Sequence, residues 1–505
     1  MVDINFYPKE KYQTSFYEYS LLPFKFDRRS DGNYLLVNEI GEYLLLSQEQ
    51  LRKFVIHDLL PTEEIYKQLK AKHFLSDRNS SALFDILASK YRTKKAFLDG
   101  FTKLHIFVPT LRCNQSCQYC QVTRQNSCAT TKFDMSIETM HRSVDLMLAN
   151  PSHSVTMEFQ GGEPLLNFDM VKEGVLYSKQ KNASIGKHIE YVICTNLILL
   201  EDFHLEFFKE HNIQISTSLD GPQFLHDRNR PMNGQSSYSV VTRNIRRVQE
   251  ALCYDAVNCL MTTTRRSLQY PKEIVDEYIN MNMKSIFVRD LNPYGYAVKT
   301  RATIGYSSEE FLNFYKKLLA YVLKLNRNGI TFSEAYASLV LKKILTPWPI
   351  GFVDLQSPCG AGFGVALYNY DGNVYASDEA RMLAEMGYQT FKLGNVFENT
   401  FDEIFLGDVM QKIALASCNE SLIGCSDCVY QSYCGADPIR NFTTQHDFVG
   451  HRPTSGFCKK NRGMIGHIID LLLEENPDNE RIFWAWINRE SVNCMRLSEP
   501  TWLSN

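Results

Sequence analysis

Residues 104–120 read LHIFVPTLRCNQSCQYC, an apolar run of strand character that leads directly into three cysteines. Cys113, Cys117 and Cys120 follow the spacing C-x3-C-x2-C. Three thiolates from one loop can bind three irons of a cubane cluster and leave the fourth iron open to a substrate or cofactor. A zinc site needs a fourth ligand, for which Cys128 is the neighbouring candidate. The spacing favours a site-open 4Fe–4S cluster, with zinc as the alternative.

Apolar strands alternate with helical segments after this stretch. Six strand-like runs recur at intervals of about 30 to 45 residues, and they read LHIFVPT, SVTMEFQ, HIEYVICTN, IQISTSLD, VNCLMTTT and SIFVRDL. A repeated βα unit predicts an α/β fold with a parallel sheet, here a partial (β/α)6 barrel like part of a TIM barrel. Ligands of such sheets bind at the carboxyl ends of the strands, and polar motifs of this chain lie there.

Polar groups end the second, third and fourth of these strands. Gln160-Gly161-Gly162-Glu163-Pro164 ends the second strand, where bare backbone allows close approach of a ligand and the glutamate offers a carboxylate to an ammonium group. Thr195-Asn196 ends the third strand and Ser218-Leu219-Asp220 the fourth. Their hydroxyl, amide and carboxylate groups suit a ribose and an amino-acid moiety, although turn capping by Ser and Asp is the alternative.

Together these motifs resemble the radical S-adenosyl-L-methionine (SAM) superfamily over most of residues 104–300. In that family SAM chelates the open iron, one electron splits its sulfonium, and the resulting radical takes a hydrogen atom from the substrate. Arg230 and Arg289 could pair with a carboxylate of SAM or peptide, or form surface ion pairs. Tyr119 occupies a position that the family places near the adenine of SAM, and simple packing is the alternative. The resemblance implies SAM contacts at Tyr119, Gly161, Gly162, Glu163, Thr195, Asn196, Ser218, Asp220 and Arg230.

A second cysteine group lies towards the end of the chain. Cys425, Cys428 and Cys434 have the spacing C-x2-C-x5-C, and Cys458 follows. The group resembles the SPASM extension of radical SAM enzymes that modify peptides and sulfatases, which normally carries seven cysteines for two auxiliary clusters. The four thiolates imply one auxiliary 4Fe–4S cluster that is closed to substrate, with zinc as the alternative. The chain is therefore predicted to hold two 4Fe–4S clusters.

The SPASM-like region departs from the family pattern at two positions. Ser377 and Pro438 stand where cysteines are expected, so only Cys359 remains of the set that serves the cluster nearer the active site. The missing cluster leaves space where the substrate is predicted to lie. Asp378 matches the catalytic acid of sulfatase maturases and is a candidate proton acceptor, or the ion-pair partner of Arg381. Cys359 is a ligand, a hydrogen donor or neither.

Longer stretches narrow the resemblance. LRCNQSCQYCQVTRQ, EFQGGEPLLNF and YNYDGNVYASDEARMLAEMG resemble the B-type maturase family of the His-Xaa-Ser system. This likeness implies a ribosomally made precursor peptide with His-Xaa-Ser repeats, a second radical SAM maturase, and an electron donor such as flavodoxin or ferredoxin. The predicted reaction is oxidative modification of a peptide residue that forms a cross-link or ring. The alternatives are epimerisation with a cysteine hydrogen donor and a non-catalytic iron–sulfur scaffold for the partner maturase.

The N-terminal region has a different pattern from the rest. Strand-like runs FKFDRR, NYLLVN and EYLLLS precede two helical segments, with Ser47 and Thr62 as expected N-caps. The outline resembles the winged-helix peptide-recognition element of ribosomal-peptide maturases, and a structural cap on the catalytic domain is the alternative. The predicted domains are 1–98 (winged-helix-like), 99–305 (radical SAM core), 306–345 (linking helices), 346–465 (SPASM-like cluster domain) and 466–505 (C-terminal helices).

Composition and charge exclude several classes of partner. The net charge is −3, from 54 basic and 57 acidic residues, so no summed field favours a nucleic acid or an anionic membrane surface. The first residues do not resemble a signal peptide, and no apolar run reaches the ~18 residues of a membrane span. A cytoplasmic location without nucleic-acid or membrane partners is expected. The remaining cysteines, predicted to be small core residues, are Cys194, Cys253, Cys259 and Cys494.

Overall fold

Short antiparallel strands form the beginning of the fold. The computed structural model describes residues 19–77 and 82–492, so Cys494 lies outside the described residues. β1 (Ser20–Leu21) pairs with β5 (Leu75–Ser76), and the three predicted strands are confirmed as one antiparallel sheet. The strands of that sheet are β2 (Phe24–Arg28), β3 (Tyr34–Asn38) and β4 (Tyr43–Leu46).

Three helices follow these strands. The first, α1 (Gln48–Val55), begins at the predicted cap, because the Ser47 hydroxyl accepts from the Gln50 amide at 3.1 Å. The predicted cap at Thr62 is wrong by one residue: Glu63 is the N-cap of α2 (Glu64–Ala71), and its carboxylate accepts from the Leu60 amide at 2.8 Å. The third helix is α3 (Ala82–Lys95). The assignment of this region as a winged-helix recognition element stays a prediction.

A compact unit comprises these elements together with residues 342–350 and 420–434. Its apolar core joins one face of the strands to the helices. Members of the core include Leu36, Leu46, Phe54, Leu69 and Phe74, all fully buried.

The second compact unit contains residues 97–341, 351–419 and 435–492 and is organised around parallel strands. All six predicted strands are confirmed, and each pairs in parallel with the next, so the unit has an α/β fold. They are β6 (Leu104–Phe107), β9 (Ser154–Phe159), β10 (His188–Cys194), β11 (Ile213–Ser218), β12 (Val257–Thr262) and β13 (Ser285–Arg289). The cysteine loop contributes a short parallel pair, β7 (Arg112–Cys113) and β8 (Gln125–Asn126).

Further strands extend the sheet at both edges. β14 (Ser333–Glu334) pairs in parallel with β13, and β15 (Val365–Tyr368) pairs in parallel with β6. A hairpin turn at Asn369–Gly372 joins β15 to β16 (Asn373–Tyr375), which pairs with β17 (Lys392–Asn395). Residues well beyond 305 therefore complete the sheet that begins at residue 104.

Helices cover the strands of this unit. Those between the first six strands and the sheet edge are α4 (Ile137–Ala149), α5 (Phe168–Asn182), α6 (Asp202–Glu210), α7 (Gln223–Asn229), α8 (Ser237–Ala251), α9 (Pro271–Asn280), α10 (Tyr296–Ile304) and α11 (Ser308–Arg327). The later helices are α12 (Ala335–Leu345), α13 (Asp378–Glu385), α14 (Phe401–Phe405), α15 (Asp408–Ser417), α16 (Pro438–Gln445), α17 (Gly456–Leu473) and α18 (Pro477–Asn488). Within residues 19–77 and 82–492, no helix is both long and apolar enough to cross a membrane.

Candidate active site

The three cysteines of the first motif line a single cavity of about 490 Å³ at the carboxyl ends of the parallel strands. Burial raises the pKa of Cys113 to about 12 and that of Cys117 to about 11. A buried thiol of this kind ionises when a metal supplies positive charge beside it. Three thiols on one wall of a cavity therefore fit a cluster that keeps one iron open to a ligand.

The cysteine loop is fixed by contacts that its own chain makes. Arg112 donates two hydrogen bonds to the Asp134 carboxylate, at 2.8 and 2.7 Å, in the bidentate geometry that holds a guanidinium most firmly. On the other side, the Gln115 side-chain amide donates to the Ser237 hydroxyl at 2.6 Å. Hydrogen bonds to Asp134 and Ser237 therefore hold the loop on both sides.

Gly161 and Gly162 pack against the strand that enters this loop. The amides of Gly162 and Glu163 donate to the carbonyls of Thr110 (2.9 Å) and Arg112 (2.8 Å). A Cβ on Gly161 would stand 2.5 Å from the Thr110 carbonyl oxygen, and a Cβ on Gly162 would collide with that of Arg112. The sequence predicted bare backbone for close approach of a ligand; the structure adds that it lets two segments of the chain approach each other.

The Glu163 carboxylate joins two of the predicted motifs. It accepts from the Thr195 hydroxyl at 2.6 Å and from the amides of Asn196 (2.8 Å) and Leu165 (3.1 Å). Asn196 in turn donates to the side chain of Asn114, inside the cysteine loop, at 2.8 Å. Burial raises the pKa of Glu163 to about 7. Glu163, Thr195 and Asn196 line the same cavity as the cysteines.

Tyr119, Asp220 and Arg230 form a buried network beside the loop. The Tyr119 hydroxyl donates to Asp220 at 2.6 Å and accepts from Arg230 Nε at 2.6 Å, while Arg230 Nε lies 3.5 Å from the Asp220 carboxylate. Tyr119, Arg230 and Ser218 line the cavity, but Asp220 does not. Asp220 therefore acts through its neighbours rather than at the cavity surface. Arg230 forms an ion pair, but a buried one rather than the surface pair considered from the sequence.

Another part of the cavity wall comes from the segment where cysteines were expected. Ser377, Asp378 and Glu379 line it, and the Ser377 hydroxyl caps α13 by accepting from the Ala380 amide at 3.2 Å. Burial and the neighbouring Glu379 raise the pKa of Asp378. The ion pair between Asp378 and Arg381, which the sequence suggested as an alternative, is present, with the two charged groups 3.7 Å apart.

The other residues of this region have different positions. Pro438 is the first residue of α16 and, like Cys359, is buried outside the cavity lining. The Cys359 amide donates to the Ser417 hydroxyl at 3.1 Å. Arg289 lines the cavity and lies 3.3 Å from Glu379, so its ion pair is inside the protein.

Two expectations about core cysteines are wrong. Cys253 is exposed, because it lies in the loop between α8 and β12. Cys194 lines the cavity, since it is the last residue of β10 and points to the inner side of the sheet. Cys259 is buried as expected. Neither Cys194 nor its neighbour Glu158 was predicted from the sequence to be a site residue. A carboxylate inside the apolar run SVTMEF is a signal that could have identified Glu158.

The second cysteine group is divided between the two units. Cys425, Cys428 and Cys434 belong to the first unit, whereas Cys458 lies in the first turn of α17 in the second. All four are partly exposed. In the described parts of the chain, no three His, Cys, Asp or Glu side chains are grouped as a site for a single metal ion. A four-thiolate cluster at these cysteines stays a prediction.

Comparison with known proteins agrees with this geometry. The sequence pattern of the radical SAM superfamily matches residues 107–277. An uncharacterised protein of Methanocaldococcus jannaschii is 30% identical over 225 residues, which cover 44% of this chain and 73% of the relative. The chain belongs to the radical SAM superfamily. This family uses SAM and a 4Fe–4S cluster, and the thiols, Glu163 and strand-end polar groups around one cavity fit both.

Other radical SAM proteins are similar over longer stretches. A cysteine-type anaerobic sulfatase-maturating enzyme of Clostridium novyi is 25% identical over 338 residues, 65% of this chain and 85% of the enzyme. The solved structure of anSMEcpe with bound AdoMet matches 74% of this chain and 100% of its own, with a TM-score of 0.61 and 18% identity. Streptococcus suis SuiB bound to the precursor peptide SuiA matches 87% and 100%, with a TM-score of 0.52 and 14% identity. Both solved structures share the fold of this chain.

Proposed function

We propose that this protein is a radical SAM maturase that removes a hydrogen atom from a residue of a ribosomally made precursor peptide and oxidatively modifies it, forming a cross-link or ring. The observation that carries the proposal is the composition of one cavity. Its wall contains the three cysteines of the cluster loop, and it also contains the carboxyl groups of Asp378 and Glu379. Cofactor and substrate can therefore meet in one cavity.

The residues around the cavity have distinct roles in this proposal. Cys113, Cys117 and Cys120 hold the cluster, and Glu163 accepts a hydrogen bond from the SAM ammonium group. Ser218 offers a hydroxyl to the ribose, while Arg230 supplies a positive charge on the same wall. When bound, cluster and SAM supply the radical chemistry that removes a hydrogen atom from carbon.

A peptide substrate is supported by the space beside this cavity. A second cavity of about 350 Å³ shares four wall residues with the first. The shared residues are Asp290, Asn292, Phe311 and Lys460. An extended chain can occupy adjoining cavities, whereas a small metabolite needs only one. The names of the relatives, sulfatase-maturating enzymes, and the precursor peptide bound to SuiB support the same class of substrate.

The finer assignment follows the likeness to the B-type maturase family. In this assignment the substrate carries His-Xaa-Ser repeats and a second radical SAM maturase works alongside this protein. Flavodoxin or ferredoxin supplies electrons in the cytoplasm. Cys425, Cys428, Cys434 and Cys458 would hold an auxiliary 4Fe–4S cluster, which would supply an acceptor for the electron that oxidation releases. The preserved C-x2-C-x5-C spacing supports this cluster.

Epimerisation is the second candidate function, and one observation favours it. An epimerase needs a thiol near the reacting carbon to return a hydrogen atom. Cys359 was the candidate from the sequence, but Cys194 is the thiol outside the cluster motif that lines the cavity. Epimerisation would leave the mass of the peptide unchanged, whereas ring formation removes a pair of hydrogen atoms.

The test combines SAM cleavage with peptide mass. The reconstituted, reduced enzyme should form 5′-deoxyadenosine, and co-expression with the precursor, with and without the second maturase, should yield a peptide lighter by a pair of hydrogen atoms. A peptide of unchanged mass after reaction in H2O that gains one deuterium at an α-carbon in D2O would support epimerisation instead. Absence of 5′-deoxyadenosine would contradict both reactions and leave the scaffold role.

A further inference from the structure

Glu158 and Cys194 lie one layer deeper in the cavity than the SAM motifs. Glu158 stands on β9 just before the Gln160–Pro164 motif, and Cys194 ends β10 just before Thr195. In the sheet Val192 is opposite Glu158, and Cys194 is opposite Ser216. Since alternate residues of a strand face the same side, Glu158, Cys194 and Ser216 share the inner face. All three line the cavity.

The surroundings of Glu158 are those of a proton acceptor. Cys194 stands diagonally across from Glu158 on the same face of the sheet and directly opposite Ser216, and hydrogen bonding with Cys194 lowers the pKa of Glu158. The charged groups that face Glu158 are Asp378 from α13 and Arg289 from β13. Across the described residues, no cation forms an ion pair with Glu158 within 4.0 Å. Its carboxylate can therefore take up a proton without breaking a salt bridge.

Asp378 is less suited to this task, because it compensates a buried charge. The Arg381 side chain is 1% exposed, and its guanidinium lies 3.7 Å from Asp378. Apart from this contact, it donates to the Val122 carbonyl at 3.1 Å. Protonation of Asp378 would leave a buried guanidinium without its nearby negative charge, which is costly.

We propose that Glu158 is the base of the oxidative step and that Cys194 is the positioning residue that orients its carboxylate. The inference rests on the proposed function. After a substrate carbon has lost a hydrogen atom, an O–H or N–H bond of the peptide breaks and its proton passes to Glu158. The oxygen or nitrogen bonds to the carbon, and one electron leaves to an oxidised iron–sulfur cluster. The peptide has then lost a pair of hydrogen atoms.

Burial raises the pKa of Glu158 to about 7, with the Cys194 hydrogen bond and Arg289 opposing the shift and Asp378 adding to it. A base near the working pH is effective, because it is partly ionised and still holds a proton well. Turnover should therefore rise as the pH passes through about 7. Cys194→Ala should move this midpoint upward, and Cys194→Ser, which keeps a donor, should restore it.

The decisive experiment compares Glu158→Gln with Asp378→Asn in the reconstituted enzyme with its precursor peptide. Glu158→Gln should keep its iron content and its 5′-deoxyadenosine formation, which shows that it folds, while the rate of peptide modification falls by about 100-fold or more. Asp378→Asn should lose less modification than Glu158→Gln. The ratio of 5′-deoxyadenosine to modified peptide then rises much more in Glu158→Gln than in Asp378→Asn.

Three results would overturn the assignment. Modification at the wild-type rate in Glu158→Gln would do so, as would a larger loss in Asp378→Asn. Deuterium on the reacted carbon in D2O that disappears in Cys194→Ala would make Cys194 a hydrogen donor instead. Failure of the proposed function is distinct, because the wild-type enzyme itself would then leave the mass of the precursor unchanged, which removes both proposals.

Discussion

The two cysteine groups of this radical SAM protein are organised in opposite ways. Cys113, Cys117 and Cys120 lie on one loop of one unit, held by the Arg112–Asp134 pair and by the backbone of Gly162. The four cysteines of the second group come from both units. The first group is thus contiguous in sequence and lies within one unit, whereas the predicted second cluster would need ligands that are distant in sequence.

The largest expected effect separates the functions of the two groups. Cys113→Ala should lower 5′-deoxyadenosine formation to below about 1% of wild type, because it removes one ligand of the SAM-binding cluster. Cys425→Ala should retain SAM cleavage within about threefold, since a cluster with four thiolates does not bind SAM, but it should lose peptide modification. Chromatography of the nucleoside products checks both. An equal loss in the two variants would contradict the division.

The next effect concerns a buried charge network around Asp290, in the same unit as Cys458. Asp290 lies 2.7 Å from Arg440 and 2.9 Å from Lys460, and all three are largely buried. Asp290→Asn should cost about 3–5 kcal/mol in the free energy of unfolding, because it leaves two buried cations uncompensated. The exposed pair Asp255–Lys284 is the control, and Asp255→Asn should change stability by at most about 1 kcal/mol. Urea unfolding measures both.

The same network predicts a dependence of stability on pH. Burial opposes the charge of Asp290, but Lys460 and Arg440 hold its pKa well below the usual range. A depressed pKa contributes stability above the unfolded value of about 3.9, and that contribution is lost as the pH falls towards the folded value. Acid unfolding of Asp290→Asn should therefore lack this component. Identical acid transitions in the variant and the wild type would exclude it.

A smaller effect tests how the backbone of Gly162 supports the loop of Cys113, Cys117 and Cys120. Gly162→Ala should lower the free energy of unfolding by about 2 kcal/mol and reduce SAM cleavage, because the new methyl group meets the Arg112 carbonyl. Gly456→Ala, near Cys458, is the control: its Cβ would meet only the Ser308 hydroxyl, at 3.4 Å. Calorimetry and the nucleoside assay separate the two. Similar losses in both variants would show that loop bracing is not special to the first group.

The smallest effect concerns Ser377, where a cysteine was expected. Ser377→Ala should cost about 1 kcal/mol, because the cap of α13 is lost, and Ser377→Asn should recover most of it. Unchanged iron content would agree with a structural role for Ser377. A loss of iron in Ser377→Ala would instead make this residue part of a cluster site.

The strands were predictable because their periodicity is local. Each of the six runs is apolar and ends at a polar motif, so both its position and its ligand-bearing end follow from neighbouring residues. The attachment of β15 to β6 was not predictable, since nothing near Val365 specifies a partner so distant in sequence. The N-cap of α2 is Glu63 in place of the predicted Thr62, and its side chain makes no capping hydrogen bond, so the side-chain chemistry of Thr62 did not determine where the helix begins.

The site was predictable to the extent that its motifs are contiguous. Glu163, Thr195 and Asn196 were named from the sequence, and they line the cavity together with the three cysteines. Asp220 was expected at the cavity surface, but its contacts with Tyr119 and Arg230 place it behind the wall. Glu158 and Cys194 were missed because their proximity depends on the register between two strands.

The pairing of β15 with β6 has a consequence for biosynthesis. Strand β6 emerges first and keeps one edge without its final partner until residue 368 has been made. At ~5–20 residues per second, the roughly 260 residues between Leu104 and Val365 take on the order of 10 to 50 s to translate. An unpaired strand edge invites wrong partners. During that interval the cysteine loop of the nascent chain follows a strand, β6, whose edge is still unpaired. The speed of translation therefore limits how early the structure around the loop can be completed.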